Sequence, residues 1–77
     1  MKVPYVNVKA VRGVMTERER ERLIERITDV VVEVFAQGNE EFRPNVWVVV
    51  EEVEPGQWGS GGKTVDVAAV RRVTGRE

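Results

Sequence analysis

The chain contains no cysteine and no histidine among its 77 residues. Those two absences together exclude disulfides, thiolate metal sites and the usual zinc chemistry. Charge of one sign is lacking as well. Twelve Lys and Arg stand against 13 Asp and Glu, so no overall basic field argues for a nucleic-acid partner. No apolar run approaches the length of a membrane span, and the opening residues lack the core of a signal peptide. The expectation is a soluble, cytoplasmic protein. The many charged residues and the dense Val and Arg lean towards a thermophilic source. A chain of 77 residues reads as one domain, and so small a domain buries only a modest share of its surface when folded alone. With disulfides and zinc excluded, oligomerisation is the remaining source of stability.

What is present begins with Pro4-Tyr5-Val6-Asn7-Val8-Lys9-Ala10-Val11-Arg12-Gly13, where apolar and polar side chains alternate up to a glycine. That pattern predicts a half-buried strand ending in a turn. Thr16-Glu17-Arg18-Glu19 fits a capping box, so a helix is predicted to start at Thr16. Leu23, Ile24, Ile27, Val30, Val31, Val34 and Phe35 recur at three- and four-residue spacing and form its apolar stripe. Gly38 is expected to end the helix in a left-handed cap. A polar connection, residues 39–44, leads to Asn45-Val46-Trp47-Val48-Val49-Val50-Glu51-Glu52-Val53. This nearly continuous apolar run predicts a strand covered on both faces. Strand, helix and strand in this order make a right-handed βαβ unit with parallel strands. One helix covers only one face of such a sheet, and a second chain is expected on the other.

Pro55-Gly56 marks a turn before the glycine-rich stretch Gln57-Trp58-Gly59-Ser60-Gly61-Gly62-Lys63-Thr64-Val65. Gly62-Lys63-Thr64 matches the end of a phosphate-binding loop, but Gln57 stands where that motif requires its first glycine. The reading is therefore a hairpin or arm that docks Trp58 elsewhere. Asp66 is expected to cap a short last turn, and Arg71, Arg72 and Arg76 are expected to lie in a solvated tail.

The proline-headed strand, the capped helix, the second strand and the segment Gly56-Gln57-Trp58-Gly59-Ser60-Gly61-Gly62 together resemble the 4-oxalocrotonate tautomerase family. The likeness covers residues 4–65, with 66–77 as a tail of the same single domain. It implies an α/β (α+β two-layer) fold of βαβ subunits with a C-terminal hairpin or arm, paired into four-stranded sheets and assembled as homo-hexamers or hetero-hexamers. It also implies an isomerase that interconverts enol and keto forms of small 2-oxo acids without a cofactor or metal. An amino-terminal proline is the base, arginines bind the substrate carboxylates, and an aromatic residue walls the pocket.

Carried onto this chain, Pro4 is the catalytic proline and Trp58 the pocket aromatic. The two arginine positions fall at Val14 and Trp47, so Trp47 is expected to line the pocket floor, and Arg12 and Arg43 are the nearby candidates for the lost anchors. Met1-Lys2-Val3 precede Pro4. Proline is a basic amine only when its nitrogen is free, so the chain as written is expected to show low activity. Initiation at Val3, followed by removal of the initiator methionine, would free that nitrogen. Two other readings stand beside the isomerase. One is a base-less subunit working with a proline-bearing partner, and the other is a non-catalytic binding or structural module on the same fold.

Overall fold

In a computed structural model of the chain, residues 4–76 are described. The segment Met1-Lys2-Val3, on which the state of the Pro4 nitrogen depends, lies outside the described residues, as does Glu77. β1 (Tyr5–Val11) and β2 (Trp47–Val53) pair in parallel, with Tyr5 opposite Trp47 and Val11 opposite Val53. Between them runs α1 (Glu17–Val34), which returns the chain to the start of the sheet. This is the βαβ unit expected from the alternating first strand, the helical stripe and the continuous apolar run.

Thr16 is the N-cap of α1 as expected. Its hydroxyl accepts the Glu19 N–H at 3.1 Å, and the Glu19 carboxylate accepts the Thr16 N–H at 2.9 Å. Replacing Thr16 by Ala removes one of these bonds and is expected to lower stability by about 1 kcal/mol, read as a shifted urea midpoint. The Glu19 carboxyl is held below its usual range, first by the Thr16 N–H and then by Arg76. A depressed carboxylate pKa stabilises above the unfolded value, about 4.3. That contribution is lost as the pH falls through the lower folded value.

The C-terminal end of α1 differs from expectation. The helix stops at Val34, and the left-handed turn includes Gln37 (φ 55°) before Gly38 (φ 82°). The Gly38 N–H then reaches back to the Val32 carbonyl at 2.9 Å. Residues 39–45 are also more ordered than a plain connection. Glu40–Asn45 form a 3₁₀ turn with Pro44 inside it, capped by the Asn39 side chain on the Glu41 N–H at 3.0 Å. β2 consequently starts at Trp47, two residues later than the apolar run suggests.

The apolar stripe of α1 is narrower than its spacing implies. Leu23, Ile27 and Val31 are half-buried, but the deepest residue is Val32, 1% exposed, which the expected stripe omits. Val30, Val34 and Phe35 lie exposed on the flank. Two paired strands are only about 5 Å apart, so the sheet of one chain cannot cover a seven-residue stripe. Phe35 is the partial exception, since its ring tilts against Phe42 with centroids 5.8 Å apart.

Val6, Val8, Ala10, Val48, Val50 and Glu52 are the more buried positions of the two strands and face α1. Tyr5, Trp47 and Val49 look the other way, 55%, 44% and 37% exposed. On that open face Glu51 accepts from both Lys9 and Asn7, which holds its carboxyl below the usual range, Lys9 being the larger cause. Beyond β2 the chain forms the expected hairpin, β3 (Gly59–Ser60) against β4 (Lys63–Thr64). Gly61 and Gly62 both take positive φ there, 62° and 86°, as a tight primed turn requires.

The last element is a correction. α2 (Val67–Val73), capped by Asp66 on the Ala68 N–H at 3.0 Å, packs back on the turn after β1. A Cβ built on Gly13 (φ 97°) would meet Val67 Cγ2 at 3.6 Å. Arg71 donates to the Gly13 carbonyl at 2.9 Å, and Arg76 pairs with Glu19 at 3.0 Å. Two of the three arginines expected in a solvated tail are thus engaged. Among the described residues no helix is long and apolar enough to cross a membrane.

Candidate active site

The parallel sheet separates the expected site residues into two groups. At its amino end the Trp47 N–H donates to the Pro4 carbonyl at 3.2 Å, closing the ladder. Pro4 is half-buried there, and Tyr5 and Trp47 at the same end of the sheet are exposed. Arg43 belongs to the same end, because the 3₁₀ turn leads directly into β2. Its Nε meets Glu40 at 2.8 Å and its Nη2 meets Asp29 at 2.8 Å. These carboxylates, Glu40 foremost, push the Arg43 pKa up, and Arg43 in turn holds the Glu40 carboxyl low. A substrate carboxylate at Arg43 would have to compete with two resident ones.

Trp58 and Arg12 lie at the carboxyl end. Trp58 follows the turn Pro55–Gln57 and is held through its backbone on both sides. Its N–H donates to Pro55 at 3.2 Å, and its carbonyl accepts from Val65 at 2.9 Å. The arm that carries the half-buried indole is therefore a defined platform. Arg12 follows the last residue of β1 and pairs with Glu54 at 2.7 Å. Val14, in the turn itself, is half-buried. β2 runs the seven residues from Trp47 to Val53, which at about 3.3 Å per residue spans roughly 20 Å. That strand length lies between the sheet end that Pro4 adjoins and the end that the chain leaves towards Trp58.

A family model described as tautomerase enzyme matches residues 4–68. The chain belongs to the 4-oxalocrotonate tautomerase family. A probable tautomerase of Helicobacter pylori is 29% identical over 65 residues, 82% of this chain and 90% of the relative. Probable tautomerase K2 of Dickeya dadantii is 27% identical over 63 residues, 82% of this chain and 88% of its own length. Among solved structures, TomN, a 4-oxalocrotonate tautomerase homologue in the tomaymycin biosynthetic pathway, is 31% identical with a TM-score of 0.69. That alignment covers 91% of this chain and 95% of TomN. DmpI from Helicobacter pylori is 28% identical with a TM-score of 0.66, over 86% of this chain and 98% of that one. A tautomerase-like function follows from this membership.

Two charged groups near the carboxyl end of the sheet escape a reading of the sequence. Arg20 reaches across from α1 to Glu52 at 3.2 Å, with side chains 33% and 13% exposed. Oε2 of Glu52 is buried without a partner. The burial pattern of β2 puts Glu52 on its helix side, which the continuous apolar run does not indicate. Its partner is not indicated either, because Arg20 lies among six alternating charges at residues 17–22. Arg71 is the other omission, since nothing local in α2 indicates that it returns to Gly13.

Proposed function

We propose that this chain is a subunit of an oligomeric isomerase that interconverts enol and keto forms of small 2-oxo acids, with Pro4 as its amine base when Pro4 is the amino terminus. The observation that carries this reading is the setting of Pro4. Its carbonyl accepts from the Trp47 N–H at the end of the ladder, so its nitrogen is the next group outward from the sheet, at the end where Tyr5 and Trp47 are exposed. An apolar surround disfavours the protonated amine and lowers its pKa towards neutrality, where a general base works best. The family match also begins at Pro4. The deciding experiment compares enol isomerisation by a chain beginning at Pro4 with that by the chain carrying Met1-Lys2-Val3.

Assembly belongs to the same proposal, a hexamer being the expected form. A compact monomer of 8.7 kDa exposes about 4,700 Å², whereas this chain exposes 5760 Å². Its radius of gyration is 15.2 Å, against about 11.5 Å for a compact chain of this length. The open sheet face and the arm contribute to this excess. With Pro4 and Trp58 at opposite ends of the sheet, one cleft can contain both only when they come from different subunits, with Trp47 on its floor. Sedimentation is expected to give an oligomer at micromolar concentration, and a stable folded monomer there contradicts the assembly.

A specific observation favours the second reading, a base-less or non-catalytic subunit. Val14 and Trp47 occupy the positions of the family's carboxylate anchors, and both nearby candidates, Arg12 and Arg43, are already paired with carboxylates of their own chain.

A further inference from the structure

The missing anchor raises the question of which cation at the Trp58 end could receive a substrate carboxylate. Arg12 meets Glu54, Arg20 meets Glu52 and Arg76 meets Glu19, at 2.7, 3.2 and 3.0 Å. Each of these charges is already compensated. Arg71 is not. Its Nη1 donates to the Gly13 carbonyl at 2.9 Å, and among the described residues it makes no ion pair. A carbonyl satisfies one of the five N–H donors of a guanidinium and leaves its charge intact. Among the described residues Arg72 on α2 and Lys63 on β4 also make no ion pair, but both are exposed, and Lys63 offers only a single charge on a flexible stem.

We propose that Arg71 is the substrate-carboxylate anchor of this enzyme, a guanidinium delivered by α2 to the turn where Val14 stands in place of an arginine. The hydrogen bond to Gly13 puts Arg71 at the peptide that joins Gly13 to Val14. Three features hold it there: the Asp66 cap of α2, the packing of Val67 over Gly13, and the tie from Arg76 to Glu19. A cation fixed in this way loses little freedom on binding. Arg71, Arg72 and Arg76 also share a depression of about 220 Å³ with Ala68. Glu19 is the single described carboxylate that pairs with any of these three arginines. A 2-oxo acid carboxylate suits the remaining fork of Arg71, which can donate two parallel bonds. The family match stops at residue 68, before Arg71, so the anchor belongs to the part of the chain the match does not reach. Because Pro4 lies about 20 Å away along its own sheet, Arg71 serves the Pro4 of a neighbouring subunit.

This inference rests on the tautomerase reading, and its test separates the two. In a chain beginning at Pro4, with the enol of phenylpyruvate as probe, Arg71→Ala is expected to raise KM about 10- to 100-fold with little change in kcat, as for loss of a charge-assisted contact made before the transition state. Arg71→Lys should recover part of that loss. Arg76→Gln removes the neighbouring tether of α2 but not the anchor, and its KM should rise much less. Equal KM changes in Arg71→Ala and Arg76→Gln, or none in Arg71→Ala, overturn the proposal. Circular dichroism and native mass screen the variants for folding. If Arg71→Ala does not fold, Arg71→Lys decides: a KM several-fold above the parent supports the anchor, and an unchanged KM overturns it. If the unsubstituted chain beginning at Pro4 turns over no enol, the tautomerase reading fails instead. Calorimetric titration with pyruvate then tests the anchor alone, and pyruvate binding that Arg71→Ala leaves unchanged overturns it.

Discussion

A chain that begins at Pro4 is expected to isomerise 2-oxo acid enols at least about a hundredfold faster than the chain carrying Met1-Lys2-Val3, the lower end of what a placed general base contributes. The cause is a single bond. In the longer chain the Pro4 nitrogen is part of an amide, and its lone pair is delocalised into the carbonyl of Val3. In the shorter chain it is a secondary amine held at the sheet end by the Trp47 N–H on its own carbonyl. A free α-amino group titrates near 8, and an apolar cleft closed over it by a neighbouring subunit would lower that value by disfavouring the cation. The amine is the active form, so kcat/KM should rise with pH and level off above a midpoint below about 8. Equal rates in the two chains would remove Pro4 from the chemistry. Inactivity in both would shift the weight to the base-less or non-catalytic subunit, with the lost arginines as the deeper defect.

Most of the fold that positions Pro4 is legible in the sequence because it rests on local signals. Alternation predicts β1 and a continuous apolar run predicts β2, and the Thr16 and Glu19 pair predicts the start of α1, which the reciprocal bonds at 3.1 and 2.9 Å reproduce. The glycine pair at 61 and 62 predicts the hairpin, which needs positive φ at both residues. What the sequence conceals depends on contacts between distant residues. Val32 is the deepest residue, yet helical periodicity cannot say how narrow the covering sheet is, and so it admits Val30 and Val34 to the stripe instead. Arg12 and Arg43 look available as anchors until Glu54, Asp29 and Glu40 are found beside them. Arg71 looks like one of three solvated arginines until α2 folds back onto Gly13, 58 positions away. Pro4 and Trp58 thus enter the candidate site through a family pattern that the sequence carries, whereas the state of the cations is unreadable there, because it depends on which carboxylates the fold has already given them.

Replacing Val49 by Lys is expected to abolish assembly and, with it, the folded state. Val49 is central in β2, opposite Asn7 on the open face between Trp47 and Glu51, and is 37% exposed in the isolated chain. A lysine there puts an unpaired charge in the middle of the surface a neighbour must cover, and an unpaired buried charge costs several kcal/mol after relaxation. The isolated chain has little with which to offset that loss, because Val32 is the only fully buried hydrophobic residue among those described. The same change at Val73, 84% exposed at the end of α2, should leave native mass and the denaturation midpoint unchanged. For Val49→Lys, sedimentation should show monomer, and circular dichroism at micromolar concentration should show lost structure. A folded monomer would mean that the βαβ unit is stable alone and that the open face has another use. Activity supplies an independent readout, since Pro4 and Trp58 lie at opposite ends of the sheet in one chain and can share a cleft only across subunits. In a chain beginning at Pro4, Val49→Lys should therefore eliminate isomerisation although it alters neither the base, nor the indole, nor Arg71.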